Sequence, residues 1–319
     1  MPKYIIKSNN EKELYLFAFP LFTFILGCKK SVEDYNRRGE SKNYKGNYTG
    51  AIIDFTKAIE LGPNNPISYY NRGDAWIKLE EYQGGEHHLT EAISDYTKVI
   101  ELDSKRSSAY SDRGFLKAEF NDHSGAIVDY NKALELDPEK PYIYFLRGES
   151  KAQLMDFSGA IKDYNKTIER SFEFINAYNK RGESKAKLGD HEGAIFDFSK
   201  SIEISRKDQE KRYASQKSRN KTDTINSNLR PNYYLEPLIF SMRGDSKAQL
   251  EDYRGAITDY SKAIELTTSH SPSPVQAYYG RGLAKIKTGQ KDSGCLDLSK
   301  GGEFGHEAAY KAIKEFCGY

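Results

Sequence analysis

From residue 35 onward the apolar positions recur on a helical step nested inside a longer one. An aromatic stands four residues before a glycine seven times, as Tyr35, Tyr69, Tyr110, Tyr144, Tyr178, Phe240 and Tyr278. A four-residue step puts aromatic and glycine on one face of a helix, one turn apart. A second stripe follows around Gly-Ala-Ile, where Ala51 and Phe55, Ala126 and Tyr130, and Ala160 and Tyr164 are again four apart. Each block therefore predicts two helices. A small residue set against the glycine lets them approach, and the flanking aromatics fill the gap. Neither helix buries such a stripe alone, so successive blocks must stack.

The longer period is written in polar residues. Arg-Gly occurs as Arg38-Gly39, Arg72-Gly73, Arg113-Gly114, Arg147-Gly148, Arg181-Gly182, Arg243-Gly244 and Arg281-Gly282, at spacings of 34, 41, 34, 34, 62 and 38. An Asp follows 15 residues after six of these glycines (Asp54, Asp129, Asp163, Asp197, Asp259, Asp297). In the second block Asp95 comes after 22, displaced by a seven-residue insertion around Gly84-Gly85-Glu86-His87-His88. A Lys follows each Asp by three (Lys57, Lys98, Lys132, Lys166, Lys200, Lys262, Lys300). The expected Asp–Lys contact is an i,i+3 surface pair. The Arg is within reach of the Asp on the second helix of its own or a neighbouring block. Seven copies of one structural bridge are a better reading than seven ligand sites, because stacked repeats sum their interfaces.

Period and motif together resemble the tetratricopeptide repeat family over about residues 32–301. The fourth block runs Tyr144-Phe-Leu-Arg-Gly148, Met155-Asp-Phe157 and Gly159-Ala-Ile-Lys-Asp-Tyr164, and the third ends Leu134-Glu-Leu-Asp-Pro138. The resemblance implies an all-α fold. The implied architecture is an α-solenoid of seven helix-turn-helix repeats in a right-handed superhelix, with a C-terminal capping helix. Repeats 1–5 fill residues 32–204 and repeats 6–7 fill 237–301, with a cap over 302–319 that carries Ala308, Ala309, Ala312, Ile313 and Phe316. Two positions depart from the family. Arg stands before every glycine where Leu is common, and Lys stands three after it in six repeats, where only Trp76 supplies the usual aromatic. Residues 205–236 hold 28 extra positions, polar and rich in Lys and Arg, and are expected to be a mobile basic insertion. It is either a solvated insertion or an electrostatic contact for anionic lipid or an acidic partner.

The first thirty residues read as an address. A weakly positive head with Lys3, Lys7 and Lys12 precedes an apolar run from Leu14 to Gly27, too short to span a bilayer. The run ends Ile25-Leu26-Gly27-Cys28 and resembles a bacterial lipoprotein signal. That resemblance implies removal of 1–27, lipid on Cys28, a spacer over 28–31, and anchorage in the bacterial cell envelope. Acyl chains together hold a protein stably where one binds only marginally. The alternative is an ordinary secretory signal or an uncleaved anchor, with Cys28 incidental.

Composition narrows the function. The chain has 319 residues, 48 Lys+Arg against 46 Asp+Glu, 38% hydrophobic residues and 24 Tyr. Balanced charge argues against nucleic acid as a partner, and the polarity fits a core shared among thin repeats rather than two compact domains. No phosphate-cradling loop, G-x-S-x-G, H-E-x-x-H or C-x-x-C occurs, and His87 and His88 diverge on a helix, so no enzyme activity, cofactor, metal or small-molecule substrate is expected. With Cys28 lipidated, Cys295 and Cys317 remain. They are either a staple between cap and last repeat or two small buried hydrophobes.

In the resembled family the first helices line a concave groove for peptides or partner helices. The residue after each glycine is expected to face it: Glu40, Asp74, Phe115, Glu149, Glu183, Asp245 and Leu283. One turn earlier stand Tyr70, Phe145 and Tyr279. Acids here repel a terminal carboxylate, so the expected partner is a neutral or basic protein segment held by aromatic contacts and acidic anchors. Against this, Asp74–Lys78 and Glu183–Lys187 are spaced to neutralise each other at i,i+4. The leading reading is a membrane-tethered interaction scaffold. A structural envelope lipoprotein without a groove ligand, or an accessory subunit of an envelope enzyme or transport complex, is the alternative.

Overall fold

The computed structural model describes residues 30–84, 88–219, 236–267 and 274–318, so the leader and Cys28 lie outside the described residues. Within them the chain forms fifteen α-helices and no strand. The first three repeats are α1 (Val32–Tyr44) with α2 (Tyr48–Leu61), α3 (Pro66–Gln83) with α4 (Leu89–Leu102), and α5 (Ser107–Glu119) with α6 (His123–Leu136). Then come α7 (Pro141–Gln153) with α8 (Phe157–Arg170), and α9 (Ile175–Lys187) with α10 (His191–Arg219). The last two are α11 (Glu236–Gln249) with α12 (Tyr253–Leu266) and α13 (Val275–Lys287) with α14 (Lys291–Glu303), followed by α15 (Glu307–Phe316). This is the α-solenoid element order.

Packing divides the chain into two compact bodies, residues 1–88 and 89–319. The boundary falls inside the second repeat, at its seven-residue insertion. Part of that insertion is taken up by helix, since α3 has 18 residues where α1, α5 and α7 each have 13. The described part of the first body packs Ala51, Ile52, Phe55, Ala75 and Leu79 together. The second body holds two larger clusters, one around Tyr130, Phe145 and Tyr164, the other around Phe198, Phe240 and Tyr260.

Local chemistry starts four of the second helices, α6, α8, α10 and α12, at the same place. Asp122, Asp156, Asp190 and Asp252 accept hydrogen bonds from the backbone N–H of Gly125, Gly159, Gly193 and Gly255 at 2.8–2.9 Å. Such N-caps stabilise by about 1 kcal/mol each. The glycine of Gly-Ala-Ile is needed there because a Cβ would run into the capping carboxylate. The other glycine row sets the helix–helix distance. A Cβ on Gly148 would lie 2.7 Å from Tyr164 Cε1, and one on Gly182 would lie 2.9 Å from Phe198 Cε1. The group facing the glycine is thus chiefly the aromatic of the second helix rather than its alanine, because a flat ring fills the crossing better than a methyl group.

In the second body first helices touch first helices (α5 with α7, α7 with α9, α9 with α11, α11 with α13). No comparable contact joins successive second helices among the described residues. The first helices therefore form the inner, closely spaced layer of that body.

The stretch expected to be a mobile loop from residue 205 begins as helix instead. α10 runs for 29 residues, through Ile204 to Arg219. Its extension contains neither Gly nor Pro and is rich in Lys, Arg, Gln and Glu, all good helix formers. Ser205 and Gln209 both donate to the buried carboxylate of Glu236 at the start of α11, at 2.9 and 3.0 Å. Lys207 and Lys200 hold the Glu203 carboxyl down to about 2. A polar segment needs no core of its own when a neighbouring helix start anchors it. Residues 220–235 lie outside the described residues. At the other end α15 buries Ala309 and Ala312, and a disulfide joins Cys295 of α14 to Cys317 at the C-cap of α15, with Cα atoms 5.9 Å apart.

Candidate partner-binding face

The repeated Arg is committed to the fold. In the fourth repeat Arg147 donates Nε to Asp163 Oδ2 at 2.9 Å and Nη2 to Oδ1 at 2.5 Å. The same fork joins Arg113 to Asp129, Arg181 to Asp197, Arg243 to Asp259 and Arg281 to Asp297, as well as Arg38 to Asp54 in the first body. The third guanidinium nitrogen reaches back one repeat: Arg113 Nη1 to Thr97, Arg147 to Asn131, Arg181 to Asn165, Arg243 to Ser199 and Arg281 to Ser261. The acceptor always stands two residues after the preceding Asp, so each of these five Arg ties its own two helices and the repeat before.

The Lys three residues after the glycine completes the bridge. Lys117, Lys151, Lys185, Lys247 and Lys285 meet the second carboxylate oxygen at 2.7–2.9 Å. Both departures from the family pattern thus serve one buried carboxylate. The expected i,i+3 pairing of that Asp with the Lys after it is not what forms. Lys57, Lys132, Lys166, Lys200 and Lys262 pair one turn further on, with Glu60, Glu135, Glu169, Glu203 and Glu265. The Asp points inward and is buried, whereas Lys and Glu lie on the outer surface. For Asp54, burial is the largest single influence and acts upward, but hydrogen bonds from Arg38 and Lys42 outweigh it and hold the carboxyl below its usual value.

The residues expected to line the groove divide. Phe145 is not among its lining: it is 6% exposed and packs against Tyr164 and Phe174 at centroid distances of 5.8 and 4.9 Å. Its row, three residues before the glycine, turns into the joint between repeats, where Asn36, Asn179 and Ser241 are also buried. Tyr70 is half-buried, and Tyr279 is covered by the His306 ring at 4.0 Å. Asp245 is tied down, accepting from the Tyr260 hydroxyl at 2.7 Å and from Gln276 at 3.4 Å. Burial raises its carboxyl and those two hydrogen bonds partly offset the rise. Glu40 accepts from Asn71 at 2.9 Å in the first body, and Asp74 is half-buried.

Glu183 pairs with Lys180 at 3.2 Å rather than with Lys187, since a step of three on the N-terminal side brings the ammonium into reach. Glu149 is half-buried, and no hydrogen bond or ion pair engages it among the described residues. Burial pushes its carboxyl above the usual value, Lys180 pulls partly back, and Glu183 and Glu119 push it further up. Two aromatics flank this surface. Phe115 was expected there; Tyr142, 52% exposed, was not. Tyr142 stands seven residues, two full turns, before Glu149, and that spacing is the signal that finds it.

Comparison with known proteins decides the family. Models described as TPR repeat match residues 39–79 and 118–154, and models described as tetratricopeptide repeat match 175–208 and 241–293, together more than half of the chain. The chain is a tetratricopeptide-repeat protein. A rice (Oryza sativa subsp. japonica) Protein SGT1 homolog is 45% identical over 53 residues, which is 17% of this chain and 14% of that relative's length. A tetratricopeptide repeat protein from Parabacteroides merdae superposes with TM-score 0.54 at 21% identity, over 89% of this chain and 96% of its own. YrrB, described as a TPR protein with an unusual peptide-binding site, superposes with TM-score 0.52 at 21% identity, over 70% of this chain and 95% of its own. These two structures share the fold.

Among the described residues no cluster of His, Cys, Asp and Glu is arranged to hold a metal, and no helix is long and apolar enough to cross a membrane. A cavity of about 350 Å³ lies beside Phe172, Ile175 and Ile204, and the Lys211–Glu173 pair at 3.4 Å is at its edge. It is built by the start of α9 and the extension of α10, away from Glu149.

Proposed function

We propose that this protein is an interaction scaffold that holds a neutral or basic segment of a partner protein across the first helices of its second body. The observation that carries this reading is the uncommitted surface on α5, α7 and α9. There Phe115 and Tyr142 stay exposed, and among the described residues Glu149 and Glu119 have no ion pair, while the repeated Arg, Asp and Lys around them are engaged in the bridge. Exposed aromatics beside unpaired acids suit an extended cationic or neutral chain. The peptide-binding site ascribed to YrrB supports the reading from a protein of the same fold. The test is crosslinking and pull-down from intact cells with wild type and with Glu149→Lys plus Glu183→Lys. Loss of the same partner band in the charge-reversed protein is expected; an unchanged set of partners sinks the proposal.

The scaffold is further proposed to be tethered to a bacterial envelope membrane by lipid on Cys28, on the strength of the Ile25-Leu26-Gly27-Cys28 ending of its apolar leader. Lys30 begins the described chain and α1 starts at Val32, so the tether is at most about four residues, or ~15 Å, long. Mass spectrometry of the N-terminal peptide checks it: a diacylated Cys28 is expected, and an unmodified Cys28 in a mature or uncleaved chain overturns it.

A further inference from the structure

The fully buried tyrosines of the second helices are not equivalent. In the sixth repeat Tyr260 donates its hydroxyl to Asp245, the residue after the glycine, at 2.7 Å. In the fourth repeat the same register holds Tyr164 and Glu149. Here the Tyr164 hydroxyl is buried with no hydrogen-bond partner, and so is that of Tyr130 one repeat earlier. Orphaned buried hydroxyls are rare and expensive, costing about 1–3 kcal/mol each if left unmet. The difference between repeats is one methylene. Aspartate is short enough to fold back on its tyrosine, whereas the longer glutamate makes no hydrogen bond with its tyrosine.

Geometry brings these groups near one another in one place: a Cβ on Gly148, next to Glu149, would lie 2.7 Å from the Tyr164 ring, and Phe145 stacks on Tyr142 at 6.5 Å and meets Tyr164 at 5.8 Å, while both orphaned hydroxyls also feel the Glu149 charge. Among the described residues the charges acting on Glu149 and Tyr142 are Glu119, Glu183 and Asp112 against the ammonium of Lys180, which is already held by Glu183 at 3.2 Å. An exposed aromatic, Tyr142, stands beside it. The place therefore offers an uncompensated carboxylate, two hydroxyl oxygens able to accept, and a ring face. Those groups together match the donors of a side-chain cation.

We infer that Glu149, with the Tyr130 and Tyr164 hydroxyls beneath it and Tyr142 beside it, is the subsite that receives one lysine or arginine side chain of the bound segment. The inference rests on the proposed scaffold function and deepens it by naming the anchor. The fifth and sixth repeats do not repeat the subsite, because Glu183 is engaged by Lys180 and Asp245 by Tyr260. The bound segment thus has one obligatory cation at a fixed place rather than a basic run.

The test uses the full chain in mild detergent and a library of capped nonapeptides randomised at every position. Wild type is expected to enrich peptides with Lys or Arg at one aligned position. Replacing that residue by norleucine or citrulline, or the protein's Glu149 by Gln, is expected to weaken binding about tenfold, with little further loss when both are combined. Glu149→Gln keeps size and removes only a buried charge, and an unchanged helical signal verifies its fold. Enriched peptides without a cation preference, or equal binding to Glu149→Gln, overturn the subsite and leave the scaffold reading standing. No enrichment on any folded sample overturns the scaffold reading, and the subsite falls with it.

Discussion

Arg147 and Asp163 face each other in a two-bond fork across their own repeat, and the remaining nitrogen of Arg147 reaches Asn131 in the repeat before, at 2.7 Å. One side chain thereby fixes both the packing within a repeat and the step to its neighbour. Asp163 is buried, while Arg147 and Lys151 keep part of their surface in water. The carboxylate is therefore the partner whose desolvation is fully compensated only when both cations are present.

Asp163→Ala is expected to destabilise the protein by about 2–4 kcal/mol, since it leaves two part-buried cations without a counter-ion. Lys166→Ala removes the exposed Lys166–Glu169 pair and should change stability by no more than about 0.5 kcal/mol. Denaturant unfolding of the two variants measures the contrast. Equal effects would mean that the inward bridge is worth no more than a surface pair.

Glu149→Gln is expected to raise the melting temperature near neutral pH. Burial raises the folded-state pKa of Glu149 above its unfolded value, so the folded protein binds its proton more readily. The ionised carboxylate then costs stability at neutral pH, and that cost fades as pH falls through the folded and then the unfolded pKa. The advantage of the Gln variant should shrink as pH falls and vanish below the ordinary carboxylate range. Thermal melts from pH 7 downward check this, and an advantage that grows on acidification contradicts it.

Met155 sits in the left-handed backbone region at φ 62°, at a turn where Gly189 and Gly289 stand in later repeats at φ 84°. Its side chain is 75% exposed, so little packing is lost on removing it. Met155→Gly should stabilise the protein by about 0.5–1 kcal/mol, the relief of left-handed strain less the added freedom of the unfolded chain. Gly189→Met should cost about 1 kcal/mol. Chemical denaturation of both variants decides the sign.

The Cys295–Cys317 bond closes a 22-residue separation and ties α15 to α14. Breaking it releases about 3 kcal/mol of loop-closure constraint. In stacked repeats that loss is local. Reduction should therefore speed hydrogen exchange in α14 and α15 while leaving α5–α9 protected. Exchange measured by mass spectrometry with and without reductant reads this directly. Two free thiols in the isolated, unreduced protein would contradict the bond itself.

The helix pairs were legible in sequence because a small residue four positions from an aromatic recurs with fixed spacing, and packing needs no other signal. The Arg–Asp bridge was legible, since the Arg was placed in reach of the Asp on the second helix, but the partner of each Lys was not. An i,i+3 contact is the natural reading of Asp followed by Lys, and only the crossing of two helices brings Lys151 onto Asp163 in place of Lys166. Phe145 was misplaced for a related reason. Phe145 is on the correct helix, but the next repeat stacks on that row and buries it, leaving Tyr142 outside. The polar extension of α10 was read as loop because low hydrophobicity reports the absence of a core, and its anchor, Glu236, comes from a different helix.

By itself, the sequence determined the element order, the all-α class, the caps and the repeat register. All are set by contacts within a few residues or by a spacing that repeats. Tertiary structure decided which of the many charges are consumed by the fold and which remain available. That sorting depends on burial and on one-methylene differences in reach, such as Asp245 bonded to Tyr260 while Glu149 leaves Tyr164 unmet. A one-dimensional pattern treats those two acids as the same, and three-dimensional packing separates them.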